Sequence, residues 1–390
     1  MRFTCVQENL SKALNIVGRA VATRTTLPVT QNVLLSTDEG RLKLTATNLE
    51  IAISTWVGGK IESEGAVTVP ARILTDFVSS LPEGQVEIVM TPKPLGIQLT
   101  CGRFECRILG TDSEEFPPIP SVEGGVGIAI DPKVLRVAID QVVFAAATED
   151  SRPVLTGVKI EAEERDVTFA AADGFRLAVH TASLASPVAE PTSFIIPSRT
   201  LRELERLLAD QDEVVEFTVT SQRSQAMFKL KNVELVSQLV QGNFPDFRQL
   251  IPQTHGTRTI VAHQDFTRVI RSAAIFARDG SGIVRIQMFP GSDGNPGKMV
   301  VSARAEELGD NTGEIDAAVE GEEAKIAFSS KYLSDVLAVI GENEVAVETT
   351  TSSSPGVIRP VSKGAKRATE GEVSSSDSYI HIVMPMFVQW

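Results

Sequence analysis

The chain has 390 residues, 42% of them apolar, which suits about three cores at ~100–200 residues per domain. Its three cysteines, Cys5, Cys101 and Cys106, are too few for a disulfide framework and fit a reducing compartment. The formal net charge of −13 argues, taken alone, against a nucleic-acid partner, although net charge hides placement.

The first residues, Met1-Arg2-Phe3-Thr4-Cys5-Val6-Gln7-Glu8, carry no apolar leader segment, and no apolar run approaches the ~20 residues of a membrane span. Neither a secretory leader nor a membrane anchor is expected. Leu10, Ala13, Leu14 and Val17 have the i, i+3, i+4, i+7 spacing of one buried helix face. The pattern returns at Leu135, Ala138, Ile139 and Val142, and again at Phe266, Val269, Ile270 and Ala273. A second helix start follows each: Val69-Pro70-Ala71-Arg72-Ile73-Leu74, Ile196-Pro197-Ser198-Arg199-Thr200-Leu201 and Phe328-Ser329-Ser330-Lys331-Tyr332-Leu333. The copies lie about 130 residues apart, far more than the ~20–50 of solenoid repeats, so each copy is a whole domain. Such repetition suggests a surface built by quasi-symmetry rather than one active site.

Strands are predicted around the helices. In the first repeat they are Leu42-Lys43-Leu44-Thr45-Ala46, Val67-Thr68-Val69, Val86-Glu87-Ile88-Val89 and Gly96-Ile97-Gln98-Leu99-Thr100. The second has Val167-Thr168-Phe169, Phe194-Ile195-Ile196, Val214-Val215-Glu216-Phe217 and Met227-Phe228-Lys229-Leu230; the third has Met299-Val300-Val301, Ala324-Lys325-Ile326-Ala327-Phe328 and Glu344-Val345-Ala346-Val347. Many strands with two helices per repeat predict α+β domains with antiparallel sheets. Proline and glycine cluster at 116–125 and 244–252, giving domains 1–120, 127–252 and 253–390. Residues 291–297 read as a hairpin loop, and 361–378, rich in Ser, Lys, Gly and Glu, as a mobile loop. Cys101 and Cys106 sit five apart in one strand-like run, which places them on opposite faces and disfavours a metal site or local disulfide.

Catalysis has little to work with. His180, His255, His263 and His381 are scattered without ligand spacing, and no P-loop, G-x-G-x-x-G or G-x-S-x-G occurs. Asp173-Gly174 reads as a turn with glycine at positive φ rather than a general base. Asp310-Asn311 beside Glu306-Glu307 reads as a solvated acidic loop rather than a cation site. No catalytic residue, metal or cofactor is expected.

The basic residues of the repeated helices are more telling. Arg72, Arg199 and Lys331 occupy one column, two residues after Pro70, Pro197 and Ser329. Lys12 and Arg268 share a column in the first helices, with Arg136 one residue earlier in its own, and Arg19, Arg202, Arg206 and Arg271 add to the same helices. The bland alternative is a set of ordinary solvated faces. Recurrence across three copies instead predicts a shared positive surface that contacts phosphates without reading bases, with the acidic remainder facing away. At the other end, Tyr379-Ile380-His381-Ile382-Val383-Met384-Pro385-Met386-Phe387-Val388 suits either a last core strand or a groove for a peptide. Pro385 sits badly in a central strand and methionines suit adaptable surfaces.

Together these features resemble the bacterial DNA polymerase III beta subunit family, the replicative sliding clamps. The resemblance spans essentially the whole chain. It is carried by Arg24-Thr25-Thr26-Leu27-Pro28 with Asn32, Asp173-Gly174-Phe175-Arg176-Leu177-Ala178, Gly242-Asn243-Phe244-Pro245-Asp246-Phe247 and Met384-Pro385-Met386, in order on a threefold repeat. It implies three tandem clamp domains and a head-to-tail homodimer closing a six-domain ring, with helices lining the hole and sheets outside. Such a ring tethers polymerases to duplex DNA without sequence specificity and without catalysis of its own, in the cytoplasm at the nucleoid. By the same resemblance Arg24 is a DNA contact. A peptide pocket comprises Arg152, Leu155, Gly174, Phe175, Arg176, Leu177, Pro245, Leu250, Ile382, Met384, Pro385 and Met386. The replicative polymerase, the clamp loader, repair polymerases and mismatch-repair proteins would insert a short motif with Gln and Leu or Phe there. Burying one apolar anchor gains about 1.5–3 kcal/mol. The dimer contact would join the strand around Cys106 and Ile108 to the helix near Ile275 and Phe276 of the other copy. Glu149, Ala172, Phe175 and Phe387 depart from the family pattern, and Gln389-Trp390 extends its usual end.

Two other readings compete. An open three-domain scaffold of the same fold would bind proteins without enclosing DNA, and its mass in solution separates it from a ring. A hydrolase using Asp173 or His180 would lose turnover in Asp173→Ala.

Overall fold

All twelve apolar positions of the three repeated helix patterns are buried, from Leu10 through Ala273, so the 3.6-residue period of the sequence is the period of the packing. The computed structural model describes residues 1–119, 124–149, 151–278, 281–292, 296–361 and 378–390.

The first repeat runs β1 (Arg2–Val6), α1 (Gln7–Val17), β2 (Asn32–Asp38), β3 (Arg41–Thr47), β4 (Ile51–Val57), β5 (Lys60–Ser63), β6 (Ala66–Pro70), α2 (Ala71–Ser80), β7 (Gln85–Pro92), β8 (Leu95–Cys101) and β9 (Phe104–Leu109). The second runs β10 (Val126–Ile130), α3 (Pro132–Val143), β11 (Gly157–Glu163), β12 (Asp166–Ala172), β13 (Arg176–Ser183), β14 (Thr192–Pro197), α4 (Ser198–Leu207), β15 (Val215–Val219), β16 (Gln225–Lys229) and β17 (Val233–Gln238). The third runs β18 (Thr257–Ala262), α5 (His263–Arg278), β19 (Ile283–Phe289), β20 (Gly297–Ala305), β21 (Gly309–Gly321), β22 (Ala324–Ser329), α6 (Ser330–Val339), β23 (Glu344–Thr349), β24 (Gly356–Val361) and β25 (Tyr379–Val383). Each repeat thus has two helices amid antiparallel strands.

The chain forms two compact units. One is Met1–Lys133 with Leu184–Glu190 and Arg199–Leu239; the other is Val134–Ser183 with Pro191–Ser198 and Val240–Trp390. The first holds a five-stranded sheet, β5-β1-β7-β8-β9, and an eight-stranded sheet, β10-β15-β16-β17-β4-β3-β2-β6. The second holds a twelve-stranded sheet, β14-β11-β12-β13-β25-β24-β23-β18-β21-β20-β19-β22. In each unit the last strand of one repeat joins an early strand of the repeat before it. β17 pairs with β4 from Val233↔Thr55 to Ser237↔Ile51, and β25 pairs with β13 from Arg176↔Val383 to His180↔Tyr379. These two junctions position the grooves described below.

Two expectations are corrected. Cys101 and Cys106 are not in one strand: Gly102-Arg103 turns the chain between β8 and β9, with Cys101 opposite Phe104 and Leu99 opposite Cys106. Opposed residues share a face, so the two cysteines lie on the same face of the sheet; both are free thiols. Asp310-Asn311 are not in a loop but open β21, where they pair with Arg304 and Ala303 of β20. One face of that strand is exposed, while Ile315, Ala317 and Val319 on the other alternate with Glu314, Asp316, Ala318 and Glu320. Residues 293–295 of the expected 291–297 loop lie outside the described residues; the strands on either side form an antiparallel pair, with Phe289 opposite Lys298. Most of the 361–378 loop lies outside the described residues.

Candidate functional site: a groove at the end of the terminal strand

β25 is wholly buried as far as Val383, and the chain then emerges: Met384 is 43% exposed and Met386 38%. Proline at 385 has no N–H for a ladder, so pairing stops there. The emerging tail is pinned, because Met384 N donates to Phe175 O at 2.8 Å and Met386 N to Ala327 O at 2.7 Å. Beside it, Ala172, Leu177 and Ile382 lie on one face of β12, β13 and β25 in directly opposed positions. They floor a groove of about 500 Å³, walled by the segment around Leu250–Thr254 and the turn around Thr350–Pro355. Below the floor, Leu155, Val179, Ile380, Phe244 and Phe247 pack as one buried cluster, which holds the groove open as a preformed apolar site.

Of the pocket residues expected from sequence, Gly174, Arg176, Leu177, Leu250, Ile382 and Met384 line this groove, and Leu155 supports it from beneath. Arg152 lies alongside: a Cβ on Gly174, whose φ is +94°, would stand 3.2 Å from its guanidinium. Phe175 and Pro245 are exposed and not part of the lining; further along the tail neither half-buried Pro385 nor exposed Met386 lines it. Sequence reasoning missed Gln249, Pro252 and Thr254 and the Thr350–Pro355 turn. The first three follow Phe247 directly and were legible as a continuation of its motif; the turn reaches the groove only through the pairing of β23, β24 and β25 and left no local signal.

Asp173 is a structural residue. Its Oδ1 accepts from the backbone N of Phe175 at 2.8 Å and of Arg176 at 3.0 Å, and its Oδ2 from Arg176 Nε at 3.0 Å. Arg176 is almost fully buried. It donates further to Asp335 Oδ2 at 2.6 Å and Phe144 O at 2.8 Å, and its guanidinium stacks on Tyr332 at 4.5 Å. His180 lies on the opposite face of β13 from Leu177, buried, with Nδ1 2.7 Å from Gln141 Oε1. Burial pushes it down to about 4, so it is neutral at pH 7. His381 is fully buried and pushed down to about 3, first by burial and then by Arg176. Neither imidazole reaches a surface where substrate could meet it. No group of three or more His, Cys, Asp or Glu that could hold a metal occurs among the described residues, and no helix there is long and apolar enough to cross a membrane.

Every basic residue singled out from the helices is exposed: Lys12, Arg19, Arg24, Arg72, Arg136, Arg199, Arg202, Arg206, Arg268, Arg271 and Lys331. Several carry a carboxylate on their own helix: Lys12–Glu8, Arg72–Asp76, Arg206–Glu203, Arg268–Asp265 and Lys331–Asp335. Arg24, Arg136, Arg199 and Arg271 have no ion-pair partner among the described residues. β9 is the edge of its sheet. Ile108 there is buried within its own chain and Cys106 is half-buried, so the apolar side chains the edge offers are Phe104 and Leu109, 52% and 66% exposed. On α5, Ile275 is 59% exposed and Phe276 half-buried.

A threefold repeat with exposed basic helices and a preformed apolar groove beside a tail defines a binding protein whose surfaces are built by repetition. Comparison with known proteins gives the family. The DNA polymerase III beta subunit matches in three parts: its N-terminal domain over residues 1–120, its central domain over 129–246 and its C-terminal domain over 248–369. The beta sliding clamp of Bacillus subtilis (strain 168) is 33% identical over 369 residues, covering 92% of this chain and 96% of that one. That of Staphylococcus aureus (strain Mu50) is 31% identical over 379 residues, covering 95% and 98%. The crystal structure of the DNA polymerase sliding clamp from Bacillus subtilis superposes with a TM-score of 0.91 at 30% identity, covering all of both chains. The chain belongs to the DNA polymerase III beta subunit family, the non-catalytic sliding clamps of DNA replication.

Proposed function

We propose that two copies of this chain, each with domains 1–120, 127–252 and 253–390, close head to tail into a ring around duplex DNA. The edge strand β9, with Phe104, Cys106 and Leu109, would meet Ile275 and Phe276 on α5 of the second copy. The exposed basic residues, Arg24 and Arg199 among them, would face phosphates. Contacts to phosphates alone carry no sequence information, so the ring would slide while remaining topologically attached. The replicative polymerase, the clamp loader, repair polymerases and mismatch-repair proteins would compete for the groove through a short Gln- and Leu/Phe-containing motif, in the cytoplasm at the nucleoid.

The observation that carries this reading is the groove of Leu177, Leu250, Ile382 and Met384. Its test is fluorescence polarisation with a synthetic peptide carrying Gln followed by Leu and Phe. The Leu177→Ala, Met386→Ala double variant is expected to lose about tenfold or more in affinity, chiefly through Leu177 on the groove floor; because Leu177 is also buried, the melting temperature should fall while the far-ultraviolet circular dichroism of the folded chain is retained. Unaltered affinity would remove the groove from the account.

A further inference from the structure

The face of β2, β3, β4 and β17 turned away from α1 holds a second groove, of about 530 Å³, under residues 113–119. It is the counterpart, one repeat earlier, of the groove at β13 and β25. At the strand junction, Ala52 opposite Val236 and Ser54 opposite Glu234 take the places of Leu177 opposite Ile382 and Val179 opposite Ile380. The turn entering the inner strand is alike. Asn48 Oδ1 accepts from the backbone N of Glu50 and Ile51, as Asp173 Oδ1 does from Phe175 and Arg176. The covering segment is alike too. Asp112 caps a 3₁₀ turn through Glu114 N at 3.0 Å, as Asp246 caps its own through Arg248 N at 3.2 Å.

The chemistry differs. Thr45 and Ser54 satisfy each other's hydroxyls at 2.9 Å. Lys43 is engaged by Asp38 at 3.6 Å and by the Trp56 ring at 4.7 Å. The Glu234 side chain is half-buried in the groove, and its carboxylate has no hydrogen-bond or ion-pair partner among the described residues. Beside it a small apolar patch gathers Ala52, Val236, Met227 and Ile119. A carboxylate partly removed from water and left unpaired is unfavourable, and a cation placed against it restores a charge-assisted hydrogen bond.

We propose that this groove is a second docking site, and that its occupant is an extended segment of a partner protein presenting a Lys or Arg to Glu234 and an aliphatic side chain to the Val236, Met227 and Ile119 side chains that line it. Glu234 and Val236 are two positions apart on one strand, about 6.7 Å, which is also the step between same-face side chains of an extended ligand. The recognised pattern is therefore basic-x-aliphatic. The assignment leans on the analogy with the terminal groove, so the test keeps the two separate.

Peptides are selected from a random phage-displayed library on full-chain protein carrying Leu177→Ala and Met386→Ala, then synthesised and measured by fluorescence polarisation. The selected set is expected to converge on basic-x-aliphatic. Its affinity should fall about tenfold or more in Glu234→Lys and in Glu234→Gln, the usual worth of a hydrogen bond to a charged group. It should be unchanged when Leu177 and Met386 are restored. Peptides that bind Glu234→Lys as well as the parent, or a selection without a basic residue, would overturn the proposal. A Gln- and Leu/Phe-containing peptide measured in parallel reports the terminal groove alone: its insensitivity to Leu177→Ala with Met386→Ala would sink that reading without touching this one.

Discussion

Arg176 joins the groove to the helical face behind it. One guanidinium spans Asp173 on the turn, Asp335 on α6 and the carbonyl of Phe144 just past α3. Removing one partner of such a buried set costs about 3–5 kcal/mol because the remaining charge is stranded, which is why Asp173 serves the turn and is unsuited to act as a base. Behind Arg176, His180 and His381 are held neutral, at about 4 and about 3 against an ordinary 6.5. Lowered histidine values make the unfolded chain the better proton acceptor below pH 6.5. Their stability contribution is complete about one pH unit above 6.5 and is lost as pH falls, roughly tenfold in the folding equilibrium per pH unit for each histidine down to about pH 4. Urea midpoints at pH 8.5, 7.5 and 5.0 should therefore be level between the first two and drop at the third. His381→Phe should roughly halve that drop, and a midpoint equal at pH 5.0 and 7.5 would contradict the burial of uncharged imidazoles.

Helices were the most legible elements, because a 3.6-residue apolar period survives in any context and because each pattern occurred three times. β25 was readable as a last strand, whereas β13 was not, and neither was their pairing: Leu177 and Ile382 become neighbours through a sheet order that local sequence does not encode. β21 escaped reading for a physical reason. Its ladder to β18 and β20 is made by backbone groups, and its side chains are mostly solvated. Gly313 marks the helix above it, since a Cβ there would collide with Val269 of α5, and Ile315, Ala317 and Val319 continue the same face. The basic columns were legible as exposed positions, whereas the carboxylates that partly neutralise them depend on side-chain reach and were not foreseen. Arg24 and Arg199 are two of the four, with Arg136 and Arg271, that have no ion-pair partner among the described residues and are expected to reach phosphates. For binding to a short DNA duplex, replacing Arg24 and Arg199 with Ala should reduce the slope of log affinity against log salt by about 1.8, at ~0.9 per phosphate contact. A slope unchanged within error would remove them from the DNA surface.

At the scale of the whole molecule, an acidic chain and a DNA-facing role are compatible once charge is considered by place. The net charge is −13, while the exposed faces of the repeated helices carry arginine and lysine. An acidic remainder repels nucleic acid and so would favour approach to the exposed basic helix faces. The edge strand β9 gives the same logic for assembly: an unpaired edge bearing exposed Phe104 and Leu109 is an aggregation hazard unless something covers it. A second copy covering it closes a symmetric assembly and leaves no open end. Small-angle scattering combined with light-scattering mass decides whether two copies close into that ring. A particle of twice the 42.0 kDa chain mass with the distance distribution of a hollow ring is expected. A single-chain mass at micromolar concentration, with a solid or elongated profile, would contradict it.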